Sequence, residues 1–265
     1  MNIIILTGNQ FRHKFFVNSL SKVFDIKAVF SEGKVFNPAT ESSSDKNMTS
    51  DEKSMWDWHF GMAKDEEKKF FGSNTEFNNK NLFEVPKGEI NSQEWRDKIS
   101  SFKPDIIAVF GTSLLKDETI KICKDGILNM HLGLSPYYRG SGTNFWPLYN
   151  NEPQYVGVTI HKIDIGIDTG PIIHQGRPQI EKGDNQHTVG NKTIIVGERL
   201  MEQSIKELIN GTAKFYPQTS KGKLYQRKDF NVSHIPHLKE LMEAGMIEKY
   251  VEANEASPIK VDIIE

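Results

Sequence analysis

Residues 3–6 are four consecutive large aliphatics, the signature of a strand buried on both faces, and Thr7-Gly8-Asn9 then reads as a turn. Apolar side chains recur at helical spacing over 11–24, and 26–30 form a second strand-sized run. The chain therefore opens β-α-β, which predicts an α/β class. Residues 39–51 are rich in Ser, Thr, Asp and Asn and predict a loop. A helix is expected over 52–71, where Trp56, Phe60 and Ala63 share one face. After a second polar break at 74–81, an Asn-Ser cap predicts a helix over 92–101. Residues 106–110 are short and apolar enough for a strand covered on both sides.

From Gly126 the pattern tightens. Leu128, Met130 and Leu132 alternate with Ile127, Asn129 and His131, which is strand periodicity with two polar side chains on one face. Residues 156–163 alternate in the same way. A long helix is expected over 185–210, with Ile194, Met201, Ile205 and Leu208 on one face and Gly211 ending it. The remainder carries a basic segment at 226–229, a short helix near 237–244 and a strand candidate at 259–264. The tail from Tyr216 is the expected accessory region.

Composition narrows the class of function more than the fold. The 265 residues carry 33 Lys plus Arg against 35 Asp plus Glu, a formal net charge of −2. Charges of both signs are interspersed, so no broad basic footprint marks a nucleic acid as partner. No apolar run approaches the roughly 18 residues of a membrane-spanning helix. The N-terminus has no basic segment before its apolar run, so no secretory signal is expected. The single Cys123 excludes a disulfide framework and a Cys-rich zinc site, and fits a reducing, cytoplasmic setting.

Two stretches carry candidate chemistry. Asn129 and His131 project from one face of a strand that runs directly into a turn-rich segment, and strand C-termini are where open α/β sheets bind ligands. An amide there can stabilise an oxyanion while an imidazole moves a proton. Taken alone, the same pair also reads as the wet face of an edge strand. The second stretch is Asp164-Ile165-Gly166-Ile167-Asp168-Thr169-Gly170-Pro171, a glycine-loosened loop with two carboxylates, either of which could orient a histidine. Alone, it reads equally as a solvated Asp/Gly turn.

In order along the chain stand Asn129-Met130-His131, Leu134-Ser135-Pro136-Tyr137-Tyr138-Arg139-Gly140, Gly157-Val158-Thr159 and Asp168-Thr169-Gly170-Pro171. This series resembles the 10-formyltetrahydrofolate-dependent formyltransferases, a family that includes glycinamide ribonucleotide transformylase, methionyl-tRNA formyltransferase and the sugar N-formyltransferases. The resemblance is strongest over 104–176 and extends as a fold match over 1–212. It implies a Rossmann-like formyltransferase catalytic domain with Asn129, His131 and Asp168 as the catalytic trio, Asp164 falling outside the matched position. It further implies N10-formyltetrahydrofolate as formyl donor and no metal. Formyl transfer to an amine passes through a tetrahedral oxyanion. Asn129 and protonated His131 would stabilise it, while Asp168 supports the imidazolium and helps relay the amine's proton. The donor cleft would involve Phe110, Gly111, Leu114, Leu115 and Ile165.

Departures from the family pattern narrow the expected acceptor. The turn Thr7-Gly8-Asn9-Gln10-Phe11-Arg12-His13 lacks the Gly-Ser-Gly-Ser-Asn phosphate loop of the ribonucleotide enzymes. A helix starting there could still hold an anion through Gly8, Asn9 and Arg12. The alternative is a plain helix cap with Arg12 and His13 exposed. The run Arg139-Gly140-Ser141-Gly142-Thr143-Asn144-Phe145-Trp146 lacks the proline that often follows, and Arg139 and Trp146 are candidate acceptor contacts. The Trp56–Phe60 region and Phe215-Tyr216-Pro217 offer aromatic faces for stacking, and Arg227 or Lys228 a partner for a diphosphate. The residues after Tyr216 are fewer than a tRNA-binding barrel needs. The resemblance is thus closest to the nucleotide-sugar N-formyltransferases. It implies a UDP- or dTDP-linked amino sugar, a 4-amino-4,6-dideoxy sugar first among them, as acceptor in surface-glycan biosynthesis, with no nucleic acid and no membrane span. It is compatible with a homodimer. Hydrolysis of the same donor, formylation of another small amine, and a folate-binding protein without turnover are the alternatives.

Overall fold

The computed structural model describes residues 1–33, 48–123, 126–220 and 222–264. Residues 39–47 of the expected loop lie outside them. The described chain runs β1 (Ile3–Thr7), α1 (Phe11–Val23), β2 (Ile26–Glu32), α2 (Ser50–Phe71), β3 (Leu82–Val85), α3 (Gln93–Ser101), β4 (Ile106–Phe110), α4 (Asp117–Ile120), β5 (Ile127–His131), β6 (Tyr138–Gly140), α5 (Trp146–Tyr149), β7 (Val158–Lys162), β8 (Ile172–Gly176), α6 (Gln186–Asn210), β9 (Lys223–Tyr225), α7 (His234–Glu243) and α8 (Met246–Ala256). The main sheet has seven strands in the order β3-β2-β1-β4-β5-β7-β8. It is parallel from β3 to β5, and β7 and β8 then pair antiparallel.

The aliphatic runs read as doubly buried strands do face two cores. Ile3 and Ile5 of β1 and Ala108 and Phe110 of β4 join Phe16 and Leu20 of α1 and Met201 and Ile205 of α6. Their neighbours Ile4, Leu6, Ile107 and Val109 turn to the opposite face, with Ile99 of α3 and Ile120 of α4. This period-two division makes a three-layer α/β arrangement. On β5, Leu128 and Met130 belong to the first core, so Asn129 and His131 necessarily point to the other side.

The long helices begin at strong caps. At α2, Thr49 accepts from the Glu52 N–H while the Glu52 carboxylate accepts from the Thr49 N–H at 2.9 Å. At α6, Asn185 Oδ1 accepts from the N–H groups of His187 and Thr188, and Gly211 ends the helix at φ 67°.

Several elements differ from the sequence expectation, the short α4, β6 and α5 and the helix α8 among them. β3 and β8 were not expected. β3 is a four-residue edge strand, and His174-Gln175 interrupts the aliphatic pattern of β8. Residues 259–264 are not a strand: Ile264 donates to Gln175 Oε1 at 3.2 Å, outside any ladder, and α8 occupies the stretch just before. The chain after 212 packs onto the body of the molecule. Leu238, Met246, Ile247 and Val251 share a buried cluster with Leu148, Val156 and Val189, and β9 pairs in parallel with β6. No helix among the described residues is long and apolar enough to cross a membrane.

Candidate active site

The strand order places β2 on one side of β1 and β4 on the other, so connections leave the sheet in opposite directions between β1 and β4. A crevice opens at the C-terminal ends of strands that diverge in this way. Thr7 Oγ1 donates to Phe110 O at 2.8 Å and ties the two strand ends together. His13 of α1 is wedged above them, fully buried and 4.9 Å from the Phe110 ring. Glycine is required at 111, where φ is 77° and a Cβ would lie 2.4 Å from His13 Nε2.

Two clefts meet here. The larger, of about 770 Å³, runs from Arg12, His59 and Phe60 to Asn129, His131 and Asp168. The second, of about 470 Å³, is walled by Val109, Leu114, Leu115, Ile163 and Ile167 and reaches the same Asn129 and Asp168 from the other side. Asn129 and Asp168 therefore stand at the junction of two spaces, the arrangement a transfer between two bound molecules requires.

β5 and the loop after β7 bring the expected trio together. Asp168 sits at φ 51°, a left-handed conformation that Asp tolerates better than most residues. Its Oδ2 accepts from the Gly140 N–H at 2.8 Å and lies 3.3 Å from His131 Nδ1. The other nitrogen of His131, Nε2, is 3.0 Å from the carbonyl oxygen of Tyr138. Burial is the largest influence on both side chains and opposes charge on each. It pushes the His131 proton affinity down, against the pull of Asp168 and the Tyr138 carbonyl. For Asp168 the opposing effects of His131, His161 and the Gly140 N–H prevail over burial and hold the carboxyl well below its usual range. Both ring nitrogens of His131 face oxygen acceptors, so either neutral tautomer would turn a lone pair toward an oxygen. An imidazolium beside an ionised Asp168 satisfies both contacts, while burial works against that charge.

A further histidine, His161, was missed from the sequence. It is 2% exposed, lies 3.5 Å from Asp168 Oδ1 and accepts from Asn129 Nδ2 at 3.1 Å, while its own Nδ1 donates to Lys162 O at 2.7 Å. Antiparallel pairing of β5 with β7 sets Asn129 directly opposite His161. The alternation over 156–163 carried that histidine in plain view, but its partner strand could not be read from one sequence. Glu32 is likewise buried at the end of β2, where it accepts from the N–H groups of Gly88 at 3.0 Å and Ser113 at 2.6 Å and steadies the 111–115 loop.

The other expected residues divide. Phe110 lines the larger cleft, Gly111 both clefts, and Leu114 and Leu115 the second. Ile165 is 78% exposed at the tip of the Asp168 loop and is not among the residues lining either cleft. Arg12 lines the larger cleft but is already paired: both its backbone N–H and its guanidinium bind the Glu67 carboxylate. The anion seat at the start of α1 is thus filled by a side chain of α2. Gly8 packs against the His13 ring, and Asn9 lies in a separate surface groove with Lys14 and Thr75. His13, expected exposed beside Arg12 in the plain-cap alternative, is instead buried. Arg139 is buried and donates to Ile167 O at 3.2 Å, bracing the Asp168 loop. Trp146 is 4% exposed, stacks on Tyr225 at 4.5 Å and donates to Ser141 O at 3.1 Å, so its place is beneath β9 rather than in either cleft. Phe60 faces the larger cleft, whereas Phe215 lies under the Lys162 ammonium. Arg227 lines both clefts and Lys228 neither.

Similarity to known proteins agrees with this geometry. Residues 36–205 match the family described as formyl transferase. The chain is 37% identical over 124 residues to a methionyl-tRNA formyltransferase of Thermodesulfovibrio yellowstonii, covering 46% of this chain and 40% of that protein. It is 31% identical over 139 residues to a GDP-perosamine N-formyltransferase of Brucella melitensis, covering 52% of this chain and 53% of that protein. The matches thus span about half the length of these curated relatives or less. Among solved structures, the N-formyltransferase of Helicobacter canadensis, in complex with folinic acid and dTDP-3-aminofucose, superposes with a TM-score of 0.54 at 22% identity, covering 90% of this chain and 78% of that one. With an α/β sheet of matching fold, an ordered Asn129, His131 and Asp168 at its crevice and a family match over well over half its length, the chain belongs to the formyl transferase family.

Proposed function

We propose that this protein transfers a formyl group from N10-formyltetrahydrofolate to the amino group of a nucleotide-linked amino sugar, in the cytoplasm and in the service of surface-glycan biosynthesis. The observation that carries the reading is the junction of two clefts at Asn129 and Asp168. The second cleft suits the donor. Its walls are aliphatic, and Gly111, Gly140 and Gly166 expose backbone along it, as a flat heteroaromatic ring needs. Of the expected donor contacts, Gly111, Leu114 and Leu115 line this cleft and remain proposed, with Leu114 at an exposed rim, whereas Phe110 opens on the larger cleft and Ile165 on neither. The donor supplies the activated formyl group. The larger cleft then takes the acceptor, with Arg227 placed to meet its diphosphate.

Attack of a neutral amine on a formyl carbonyl places negative charge on oxygen. Asn129 Nδ2 is the donor at that position, exchanging His161 for the oxyanion, and the His131 imidazolium adds positive charge. Asp168 keeps that charge in place; the imidazolium gives a proton to the leaving nitrogen as its bond to the formyl carbon breaks, and the ammonium formed by attack returns one to the ring. In this reading 1–212 forms the catalytic domain, and 213–265 is an accessory region whose 223–230 segment closes over the acceptor side.

The sugar is favoured over a ribonucleotide because Glu67 already occupies the helix N-terminus where a phosphate would sit. The sequence similarity to a methionyl-tRNA formyltransferase favours a second acceptor, an aminoacyl-tRNA. Both are tested together by offering UDP-, dTDP- and GDP-linked amino sugars and initiator methionyl-tRNA with the folate donor, and reading the gain of one formyl group by mass. The account expects gain on a sugar nucleotide. Gain on the tRNA alone, or formate release without any amine acceptor, overturns it.

A further inference from the structure

A third recess, of about 250 Å³, opens beside the larger cleft between α2, α6 and the segment leading into α5. Arg12, His59, Leu132, Asn144 and Phe145 line both spaces, and Leu132 follows His131 directly in the chain. The recess is unusual in its polar inventory. His59 Nδ1, His187 Nε2, both amide atoms of Asn144 and Asn191 Nδ2 are all buried there without a hydrogen-bond partner. Buried polar atoms are rarely left unpaired, and several in one small space mark a place built to be filled by something polar. Their chemistry specifies what. The second nitrogen of His187 bonds the backbone of His59, so a neutral His187 presents Nε2 as an acceptor. Asn144 offers one acceptor and one donor group, and Asn191 another donor. Among the described lining residues the one cation, Arg12, is compensated by Glu67. A set of interleaved donors and acceptors with no uncompensated positive charge matches hydroxyl groups, each of which both donates and accepts, and does not match a phosphate or carboxylate. Ala63 and Ile194 add a small apolar patch to the wall.

We propose that the recess formed by His59, Asn144, His187 and Asn191 is a sugar subsite that binds the ring hydroxyls of the acceptor's amino sugar, and that its apolar patch favours a 6-deoxy ring. This assignment rests on the amino-sugar reading of the larger cleft and extends it to residues that the catalytic trio does not involve. Both histidines are held neutral, His59 pushed down to about 3 and His187 to about 4, chiefly by burial, which keeps them hydrogen-bonding groups rather than charges at neutral pH.

The test is a comparison of Asn191→Leu and Asn144→Leu with the wild-type protein. The substrates are dTDP-4-amino-4,6-dideoxyglucose, its analogues lacking one ring hydroxyl, and whichever UDP- or GDP-linked counterpart the wild type prefers. The two positions lie on different elements, so one misfolded variant leaves the other to decide. The expected result is a KM for the sugar nucleotide raised tenfold or more, with KM for the folate donor within twofold. A deoxy analogue should lose tenfold or more on the wild type and little further on the variant that removes its partner. Sugar KM values unchanged in both variants, or a sugar-bound crystal structure with only ordered water in the recess, would overturn the subsite while leaving the amino-sugar function intact. A wild-type protein that formylates no amino sugar would overturn that function and this subsite with it.

Discussion

At the scale of single residues, the proposed mechanism divides the work among three side chains from two stretches of the chain. In that proposal Asn129 is the neutral donor, His131 the charge and Asp168 the carboxylate that keeps the charge in place. Replacing Asn129 by Ala removes one oxyanion donor and should lower kcat on the order of 10²–10³-fold with small changes in either KM, measured by steady-state formyl transfer. A kcat within threefold of wild type would remove Asn129 from the mechanism. Asp168→Asn keeps the shape and the Gly140 contact but withdraws the negative charge beside His131. The His131 ring should then titrate lower than in the wild type, read from its imidazole proton shifts by NMR. An unchanged titration would show that the pair is not coupled. These three residues were legible through the ordered resemblance to a formyltransferase family; strand alternation and loop chemistry alone left the pair on β5 open to a wet strand face and did not choose between Asp164 and Asp168. His161 and Glu32 were not legible, because each is defined by a neighbour far along the chain: His161 by the strand opposite it, and Glu32 by the two loops whose N–H groups it holds. Arg12 shows the converse. Its position at a helix start suggested an anion site, but its partner comes from α2, which no local pattern reveals.

At the scale of elements, the site is held by contacts between pieces that are each unremarkable alone. The N–H of Gly140 on β6 fixes Asp168, and β6 is in turn clamped to β9. Gly140 has φ 92°, and a Cβ there would lie 2.0 Å from the Tyr225 carbonyl oxygen. Gly140→Ala must therefore part the two strands or strain the backbone. A loss of about 1–3 kcal/mol in urea unfolding is expected, together with a fall in activity larger than that loss explains. Wild-type stability would show that the β6–β9 approach is adaptable. The packing of α2 on α6 carries a second consequence. His59 and His187 have ring centroids 4.6 Å apart and are neutral in the folded state, with pKa values lowered to about 3 and about 4. Arg12, Glu66 and Glu67 are the charged neighbours, and only Glu66 counts among the causes, favouring charge on His187. In the unfolded chain both imidazoles take up protons as the pH falls through about 6.5. Below that pH the unfolded state binds more protons than the folded one, so stability falls progressively until the folded pKa values are reached. By pH 5 each histidine costs about 2 kcal/mol. Melting curves at pH 7.5 and pH 5 should separate clearly for the wild type and less for His59→Gln. Equal separation would mean that His59 is not the acid-sensitive group. The helix pattern foretold α2 and its aromatic face but not that its histidine would sit against a second one on α6.

At the scale of the whole molecule, the candidate centre lies at the end of β5 and the loop after β7, beside the β1–β4 crevice, where two clefts meet. The β-α-β opening and the long α6 were readable because each is amphipathic over many residues. β3, β8 and the extended tail were not, being short, half-exposed or interrupted by polar residues whose partners lie elsewhere. The tail is not peripheral in the packing, since its α7 and α8 residues complete a buried cluster with α5 and α6 and its Arg227 reaches both clefts. The central claim is that a formyl group crosses from one cleft to the other past Asn129, His131 and Asp168. It is tested most directly by mass-detected transfer from N10-formyltetrahydrofolate to the sugar nucleotide that the wild type uses best, comparing wild type with His131→Ala under matched circular dichroism spectra. The account predicts one formyl group gained per acceptor with the wild type and a rate lowered on the order of 10²–10³-fold or more with the variant. Near-normal transfer by a folded His131→Ala protein would contradict it.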